Sequence, residues 1–196
     1  MPELTPELRD AYQKLFDSCM PHDNAYWKAA LDHAVQRICK YEMRYSAVGI
    51  SIGVPWQWIG AIHIMESDGN FACHLHNGDP LTARTVRPPV GRPIQGDPPF
   101  YWHTSALDAL VMRGLMGKQW DIPTMLYEAE RWNGFGYMNR GLNSPYLWSG
   151  SQHYTKGKYA KDFVWDPDAT SKQVGVGVIL KELLPLRPVG EAEVVT

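Results

Sequence analysis

Glu66 is the residue in this chain whose position best suits acid chemistry. It ends an apolar segment in HIMESDGNF, where the spacing of Ile59 and Ile62 predicts a helix that ends near Gly69. A carboxyl there is partly buried against Ile62 and Met65 and faces the negative end of the helix dipole. Both effects disfavour the carboxylate, so we predict a raised pKa and a general acid that works near neutral pH. The alternative is a solvated glutamate near a helix end.

A second carboxyl, Asp79, lies in the turn Asn77-Gly78-Asp79-Pro80 of a predicted hairpin that could fold back over the helix end. Glycoside cleavage needs one protonated carboxyl on the leaving oxygen and a second carboxylate beside the developing cation. Glu66 and Asp79 could supply this pair, and Thr85 could hold a water. The turn sequence is also ordinary turn chemistry, so a purely structural Asp79 is the alternative.

The composition excludes some partners and favours others. A balance of 19 Lys and Arg against 21 Asp and Glu leaves a net charge of −2, without the basic surplus of a nucleic-acid or anionic-membrane binder. We therefore predict no nucleic-acid partner and no stable membrane insertion. The 8 Trp and 10 Tyr exceed the 5 Phe, and such aromatics suit either sugar-stacking faces or a core.

Three segments resemble the lysozyme-like superfamily of peptidoglycan-cleaving enzymes, which includes phage-type lysozymes, goose-type lysozymes and lytic transglycosylases. Glu66-Ser67 is similar to the Glu-Ser that ends the catalytic helix of the last two groups, and Asp79 with Thr85 resembles the Asp-x5-Thr of phage-type enzymes. AERWNGFGY, residues 129–137, is similar to the segment that lines the glycan groove. The resemblance covers about residues 50 to 165, including late groove tyrosines at Tyr154 or Tyr159.

The resemblance implies cleavage of the β-1,4 bond between N-acetylmuramic acid and N-acetylglucosamine, without a cofactor and with peptidoglycan strands as the partner. Glu66 would be the acid, and Asp79 with Thr85 would support the cation or position water. The residues expected to contact substrate are Ser67, His76, Asn133, Gly134, Tyr137, Tyr146, Trp148 and Tyr154. A segment like the Gly-Leu-Met-Gln of transglycosylases is replaced here by Gly114-Leu115-Met116-Gly117, which favours a muramidase.

Other classes of function stay open at this point. A lytic transglycosylase would use the same Glu66 with the substrate's own 6-hydroxyl as the nucleophile. The pattern His74-Leu75-His76, with His63 and His103 elsewhere, could serve a zinc peptidase, although no second motif with ligand spacing accompanies it, so we predict no metal. A non-catalytic cell-wall binding module would keep the cleft without turnover.

The pattern of elements predicts a mainly helical α+β fold, a two-lobed lysozyme-like domain with a small hairpin region beside the catalytic helix. We expect an N-terminal helical segment at 1–45 packed on or extending the domain, a catalytic domain at 46–185 and a flexible tail at 186–196. Helices are predicted from Thr5 to Met20, Asp23 or Asn24 to Tyr45, Gly53 to Gly69, Thr104-Ser105 through Leu115, Pro123 to Trp132, and Ser171 to Leu184. The proline-rich stretch 87–100 is predicted to be an ordered loop.

The setting is inferred from what the sequence lacks. Three widely spaced cysteines indicate reduced thiols, and the first residues carry no apolar signal-peptide core. We therefore expect synthesis in the cytoplasm, followed by release to act on the bacterial cell wall in the periplasm, by a monomer.

Overall fold

The computed structural model describes residues 2–161 and 164–187 of the 196-residue chain. These residues are mainly helical with one small antiparallel sheet, so the predicted coarse α+β class is confirmed. The helices are α1 Pro6–Ser18, α2 Ala25–Lys40, α3 Glu42–Ile52, α4 Trp56–Ser67, α5 Trp102–Met112, α6 Ile122–Asn133, α7 Pro145–Trp148 and α8 Val176–Leu186, with a 3-10 turn at Met138–Arg140. Strands β1 Lys158–Lys161 and β2 Val164–Asp166 form the sheet, with Tyr159 opposite Trp165.

Helix α4 is the central element of the core. Every side chain from Gln57 to Ile64 is buried, as expected of a helix that is apolar on nearly all faces. Helices α2, α3 and α8 pack around it. At Gly60 a Cβ atom would lie 2.6 Å from Cγ2 of Ile38, so the missing side chain allows α2 to approach closely.

A helix that spans a membrane must have sufficient length and hydropathy. No single helix in the described part of the chain is long and apolar enough to cross a membrane. Helices α3 and α4 meet that test only as a pair, across a bend of 116°.

The N-terminal segment packs against the domain. Thr5 caps α1 by accepting a hydrogen bond from the Leu8 N–H, as its position before Pro6 predicts. The Tyr12 hydroxyl then donates to the buried carboxyl of Glu130 on α6, with an oxygen–oxygen distance of 2.5 Å. Helix α1 is therefore joined to the helix that leads into the candidate site.

The boundaries of α2 and α5 are among those that differ from the predictions. The helix expected to run unbroken to Tyr45 is divided at Tyr41, where φ is −112° and ψ is 20°. Helix α5 starts at Trp102, ahead of the capping pair predicted at Thr104-Ser105. Ser105 is instead buried inside α5, where its hydroxyl lies 2.7 Å from Nδ1 of His74. Ser105 therefore makes a tertiary contact with His74, although serine is a residue type typical of helix caps.

The β-structure lies elsewhere than predicted. Residues 71–85 contain turns and a single bridge between Cys73 and Pro80, with no strand. The regular sheet forms at β1 and β2, in a segment where the sequence analysis assigned no strand. The prediction of a helix from Ser171 is also wrong in its start, because α8 begins at Val176. The predicted tail from 186 lies mostly outside the described residues.

The stretch 87–100 is a loop, as predicted, and arginines hold it to the domain. The Arg84 guanidinium donates to the carbonyl oxygens of Pro93 and Gly96, and Arg92 Nε lies 2.9 Å from the Asp108 carboxylate. Because the net charge is near neutral, any attraction to an anionic wall would have to come from a local patch such as Arg84, Arg87 and Arg92. Each of them has an internal partner: Arg84 bonds to backbone carbonyls, whereas Arg87 and Arg92 pair with the carboxylates of Asp79 and Asp108.

Candidate functional site

Helix α4 ends abruptly right after Glu66 and Ser67. Asp68 adopts a left-handed conformation with φ of 53°, and its N–H bonds to the carbonyl of Ile64 while the Gly69 N–H bonds to that of His63. This is a Schellman-type helix end. The side-chain amide of Gln173 also donates to the carbonyls of Ile64 and Met65, at 3.2 and 2.9 Å. These bonds fix the last turn and therefore fix the backbone that carries Glu66.

The Glu66 carboxyl has the environment of an acid. Burial raises its pKa from 4.5 to about 7, in agreement with the predicted direction. Opposing effects limit the rise: the Tyr146 hydroxyl donates to Oε1 at 2.8 Å, and the Arg113 guanidinium favours the carboxylate. The nearby Trp132 indole N–H also lowers the pKa of Glu66, but it does not make a hydrogen bond of normal geometry. Glu66 is therefore protonated in a substantial fraction of molecules at neutral pH.

We expect Glu66→Gln to stabilise the protein in a pH-dependent way. Because the folded-state pKa is raised, the stability linked to this group is fully present below about 4.5 and is lost as pH rises through about 7. The loss amounts to roughly 3 kcal/mol at most. The melting temperature of Glu66→Gln should therefore match the parent near pH 4.5 and exceed it by several degrees at pH 8.

The control is Glu182→Gln, which removes an exposed carboxyl on α8. Thermal unfolding across this pH range should give the same curve for Glu182→Gln as for the parent. A constant difference between Glu66→Gln and the parent would contradict the raised pKa.

We expect Tyr146→Phe to move the titration of Glu66 upward. Without the hydroxyl that donates to Oε1, the carboxylate loses a charge-assisted hydrogen bond, so the pKa of Glu66 should rise by about one unit. The measurement is the NMR chemical shift of the Glu66 side chain as a function of pH. Tyr127→Phe, whose lost hydroxyl donates to the Pro2 carbonyl, should leave the Glu66 titration in place. A downward move in Tyr146→Phe would overturn the assignment.

The turn at Gly78 contacts the end of α4, as predicted for the folded-back segment. A Cβ atom on Gly78 would lie 2.4 Å from the carbonyl oxygen of Glu66, and the φ angle of +74° is also one that favours glycine. The segment around Asp79 is therefore held directly against the helix end that carries Glu66.

Asp79 has a structural role in its own loop, which is the alternative to a catalytic role given above. Its Oδ2 accepts the backbone N–H groups of Val86 and Arg87 at 2.8 and 3.0 Å, and its Oδ1 pairs with Nε of Arg87 at 2.6 Å. Burial opposes ionisation, but these bonds outweigh it and lower the pKa. The Asp79 carboxylate is thus charged, buried and compensated, and it closes the loop between residues 79 and 87.

The Thr85 hydroxyl, which is predicted to position a water, is instead engaged by backbone groups of its own loop. It is buried, donates to the Pro89 carbonyl and accepts the Arg92 N–H at 2.9 Å. The Asp-x5-Thr spacing therefore corresponds here to a loop whose two polar side chains bind backbone groups.

A cavity of about 660 Å³, here called the groove, adjoins Glu66. Glu66 is half-buried and adjoins the groove through Met65 and Tyr146, without lining it. The lining residues are Met65, Asn133, Gly134, Gly136, Tyr137, Pro145, Tyr146, Lys158, Tyr159, Ala160, Ser171 and Gln173. Four residues predicted to contact substrate, Asn133, Gly134, Tyr137 and Tyr146, therefore share one cavity with Tyr159.

The groove's aromatic side chains are held by contacts among themselves. The Tyr137 hydroxyl accepts the Tyr159 N–H at 3.2 Å, and the two rings meet edge to face with centroids 5.2 Å apart. Trp165 packs against both rings, and Arg140 lies 4.7 Å from the Trp165 centroid. The small sheet thus supports an aromatic wall along the groove.

Four other predicted contact residues lie outside the groove. Trp148 is 1% exposed and belongs to the core. The Tyr154 hydroxyl donates to the Gly157 carbonyl and accepts the Ser171 N–H, which fixes it within its own loop. His76 is buried with Nε2 at 2.8 Å from Asp108, and Ser67 Oγ bonds back to the His63 carbonyl. None of the four therefore lies on the groove surface as predicted: Trp148, His76 and Ser67 have partners within the fold, and Tyr154 lines a separate hollow.

Sequence reasoning missed several residues near Glu66. Arg113 stacks on Trp132 with its guanidinium carbon 4.9 Å from the ring centroid, and it acts on the Glu66 charge. Lys158 and Gln173 line the groove. No local motif marks these residues, because each comes from a different segment of the chain and reaches Glu66 or the groove only in the folded protein.

The histidines do not converge as zinc ligands would. His63 contacts Tyr45 and Asn70, and His74 contacts Ser105 and the Ala83 carbonyl. Among residues 2–161 and 164–187, no group of three His, Cys, Asp or Glu side chains could hold a metal ion. Burial lowers the pKa of His63 to about 3, so its imidazole is neutral and structural.

The fold and site thus define a mainly helical α+β protein with a half-buried carboxyl of raised pKa beside an aromatic groove. Comparisons with protein-family models, curated proteins and solved structures find no match to this chain.

Proposed function

We propose that this protein cleaves the glycan strands of bacterial peptidoglycan by general acid catalysis from Glu66. The observation that carries the proposal is the Glu66 carboxyl itself, with a pKa of about 7 and the Tyr146 hydroxyl on Oε1, beside a groove lined by tyrosines and Asn133. A glycosidic oxygen needs a proton donor that is still protonated near neutral pH. Amide and tyrosine side chains suit acetamido groups and sugar faces.

In the proposed step, the Glu66 O–H bond breaks and its proton goes to the glycosidic oxygen as the bond from that oxygen to the anomeric carbon breaks. The Glu66 carboxylate that results is stabilised by the Tyr146 hydroxyl and the Arg113 guanidinium. An incoming hydroxyl then bonds to the anomeric carbon and returns a proton to Glu66, which restores the acid. For a muramidase, this hydroxyl belongs to water.

The engagement of Asp79 and Thr85 favours a second candidate, a lytic transglycosylase. Their polar atoms bind Val86, Arg87, Pro89 and Arg92, so neither is available to activate a water. A reaction that uses the substrate's own 6-hydroxyl needs only one carboxyl, first as acid and then as base. The absence of a free second carboxylate at Asp79 therefore weakens the main argument for hydrolysis over transglycosylation.

Mass spectrometry of the fragments released from purified sacculi tests the proposal and separates its two forms. Reducing ends indicate a hydrolase, and 1,6-anhydro ends indicate a transglycosylase. Cut stem peptides on intact glycan, or no release at all, would contradict glycan cleavage.

A further inference from the structure

A second hollow, of about 620 Å³, shares Ser171 with the groove and has no part in the reaction proposed above. We call it the Trp27 shelf, formed by Tyr26, Trp27, Gly150, Thr155, Thr170 and Lys172. A smaller hollow, lined in part by Lys158, Ser171, Lys172 and Gln173, adjoins both. The segment 170–173 therefore borders three neighbouring hollows that share lining residues, the first of which lies beside Glu66.

Trp27 is held as a flat platform at the start of α2. Gly150 has a φ of +89°, and a Cβ atom there would lie 3.0 Å from Cε3 of Trp27, so bare backbone packs against the indole. The Tyr26 ring meets the indole edge to face, with centroids 5.0 Å apart. Trp27 is nevertheless only partly buried, which leaves part of a fixed aromatic surface open to a ligand.

Polar groups surround the platform, and one hydrogen bond joins the platform to the neighbouring loop. Tyr26 is 53% exposed, and its hydroxyl donates to the Lys172 carbonyl at 2.6 Å. This bond ties the aromatic pair to the loop that also borders the groove. The hydroxyls of Thr155 and Thr170 and the ammonium of Lys172 lie at exposed positions around the hollow.

We propose that the Trp27 shelf is a second glycan-binding site, which holds a distant part of the same strand whose bond is cleaved beside Glu66. A pyranose ring has an apolar face that packs on an indole, and its hydroxyl and acetamido groups suit threonine hydroxyls. The Lys172 ammonium fits the carboxylates that peptidoglycan carries. The identity of the sugar rests on the proposed function, whereas the shelf itself is a separate set of contacts.

The first test uses the Glu66→Gln protein, labelled with ¹⁵N and titrated with tetra-N-acetylchitotetraose. We expect the backbone amides of Gly150, Thr155 and Lys172 and the Trp27 indole N–H to shift in a saturable way. Shifts confined to groove residues, or no shifts at all, would overturn the shelf.

The second test measures binding of these proteins to purified sacculi in the same Glu66→Gln background. Trp27→Ala and Tyr26→Ala should each weaken binding, with a loss of up to about tenfold for Trp27→Ala. Tyr26→Ala changes an exposed side chain and serves if Trp27→Ala does not fold. The matched control is Tyr101→Ala, an aromatic 84% exposed that lines neither hollow.

The outcomes separate the two proposals. If Tyr26→Ala and folded Trp27→Ala bind sacculi as tightly as Tyr101→Ala, the shelf is wrong even when the parent cleaves glycan through Glu66. If the parent releases no glycan fragments but the shelf amides shift with the sugar, the shelf stands and the proposed catalysis falls.

Discussion

Glu66→Gln should lower the activity on purified sacculi by roughly a hundredfold to ten-thousandfold, because glutamine cannot supply the proton that the leaving oxygen needs. The amide keeps nearly the same shape, and its oxygen can still accept the Tyr146 hydroxyl. The release of soluble fragments over time, compared with the parent at equal concentration, measures the effect. Near-parental release would remove Glu66 as the acid and leave the non-catalytic binding module as the better description.

The parent's pH profile provides the companion measurement. Activity requires the protonated acid, so kcat/KM should fall as pH rises through about 7. Glu182→Gln should follow the parent over the whole range, since its side chain is exposed on α8. An activity that keeps rising well above pH 8 would be incompatible with an acid of this pKa.

Gly78→Ala should be among the most damaging single-methyl changes in the chain. The added Cβ would lie 2.4 Å from the Glu66 carbonyl oxygen, so the turn must move away from the end of α4. The left-handed backbone adds roughly 1–2 kcal/mol of strain, and the steric overlap adds a cost of similar size. We expect a loss of about 3 kcal/mol in the free energy of unfolding and a large loss of activity, because Glu66 would lose its packing.

Gly91→Ala is the matched control for Gly78→Ala. Gly91 has a φ of +78°, close to the +74° of Gly78, but a methyl group added there would have nothing within 4 Å. The control therefore carries the backbone strain without the overlap. Chemical denaturation should show a clearly larger loss in the free energy of unfolding for Gly78→Ala than for Gly91→Ala. Equal losses would mean that the turn at Gly78 is not in close contact with the end of α4.

The sequence was informative where local pattern and chemistry coincide. The apolar spacing before Glu66 predicts a buried helix, and a carboxyl at its end acquires a raised pKa through burial alone. The stop near Gly69 and the return of the Asn77–Pro80 turn over the helix end follow from residue types that favour turns. Each of these inferences depends on neighbours close in the chain.

The inferences that failed depend on partners that lie further away in the chain, or on segments whose backbone is irregular. In the sequence, Asp79 resembles a catalytic carboxylate, but in the structure it accepts hydrogen bonds from the N–H groups of Val86 and Arg87. The path of that loop could not be predicted, because its sequence has no helical or strand periodicity. Tyr146 and Trp148 are two residues apart, yet one donates to Glu66 and the other is core. The direction of each side chain is set by packing of the short α7 against α6 and α8.

Because α4 is buried, the backbone that carries Glu66 should be locally more stable than the loops and strands that line the groove. Amides in a helix enclosed by α2, α3 and α8 open only when much of the domain unfolds, whereas loops and two short strands open at a far lower cost. The parts of the groove formed by residues 134–137 and 158–160 can therefore fluctuate to admit the proposed glycan strand, whereas Gln173 is bonded to the end of α4. We expect Glu66 to keep its position during such openings, since its backbone belongs to helix α4, which opens much more rarely.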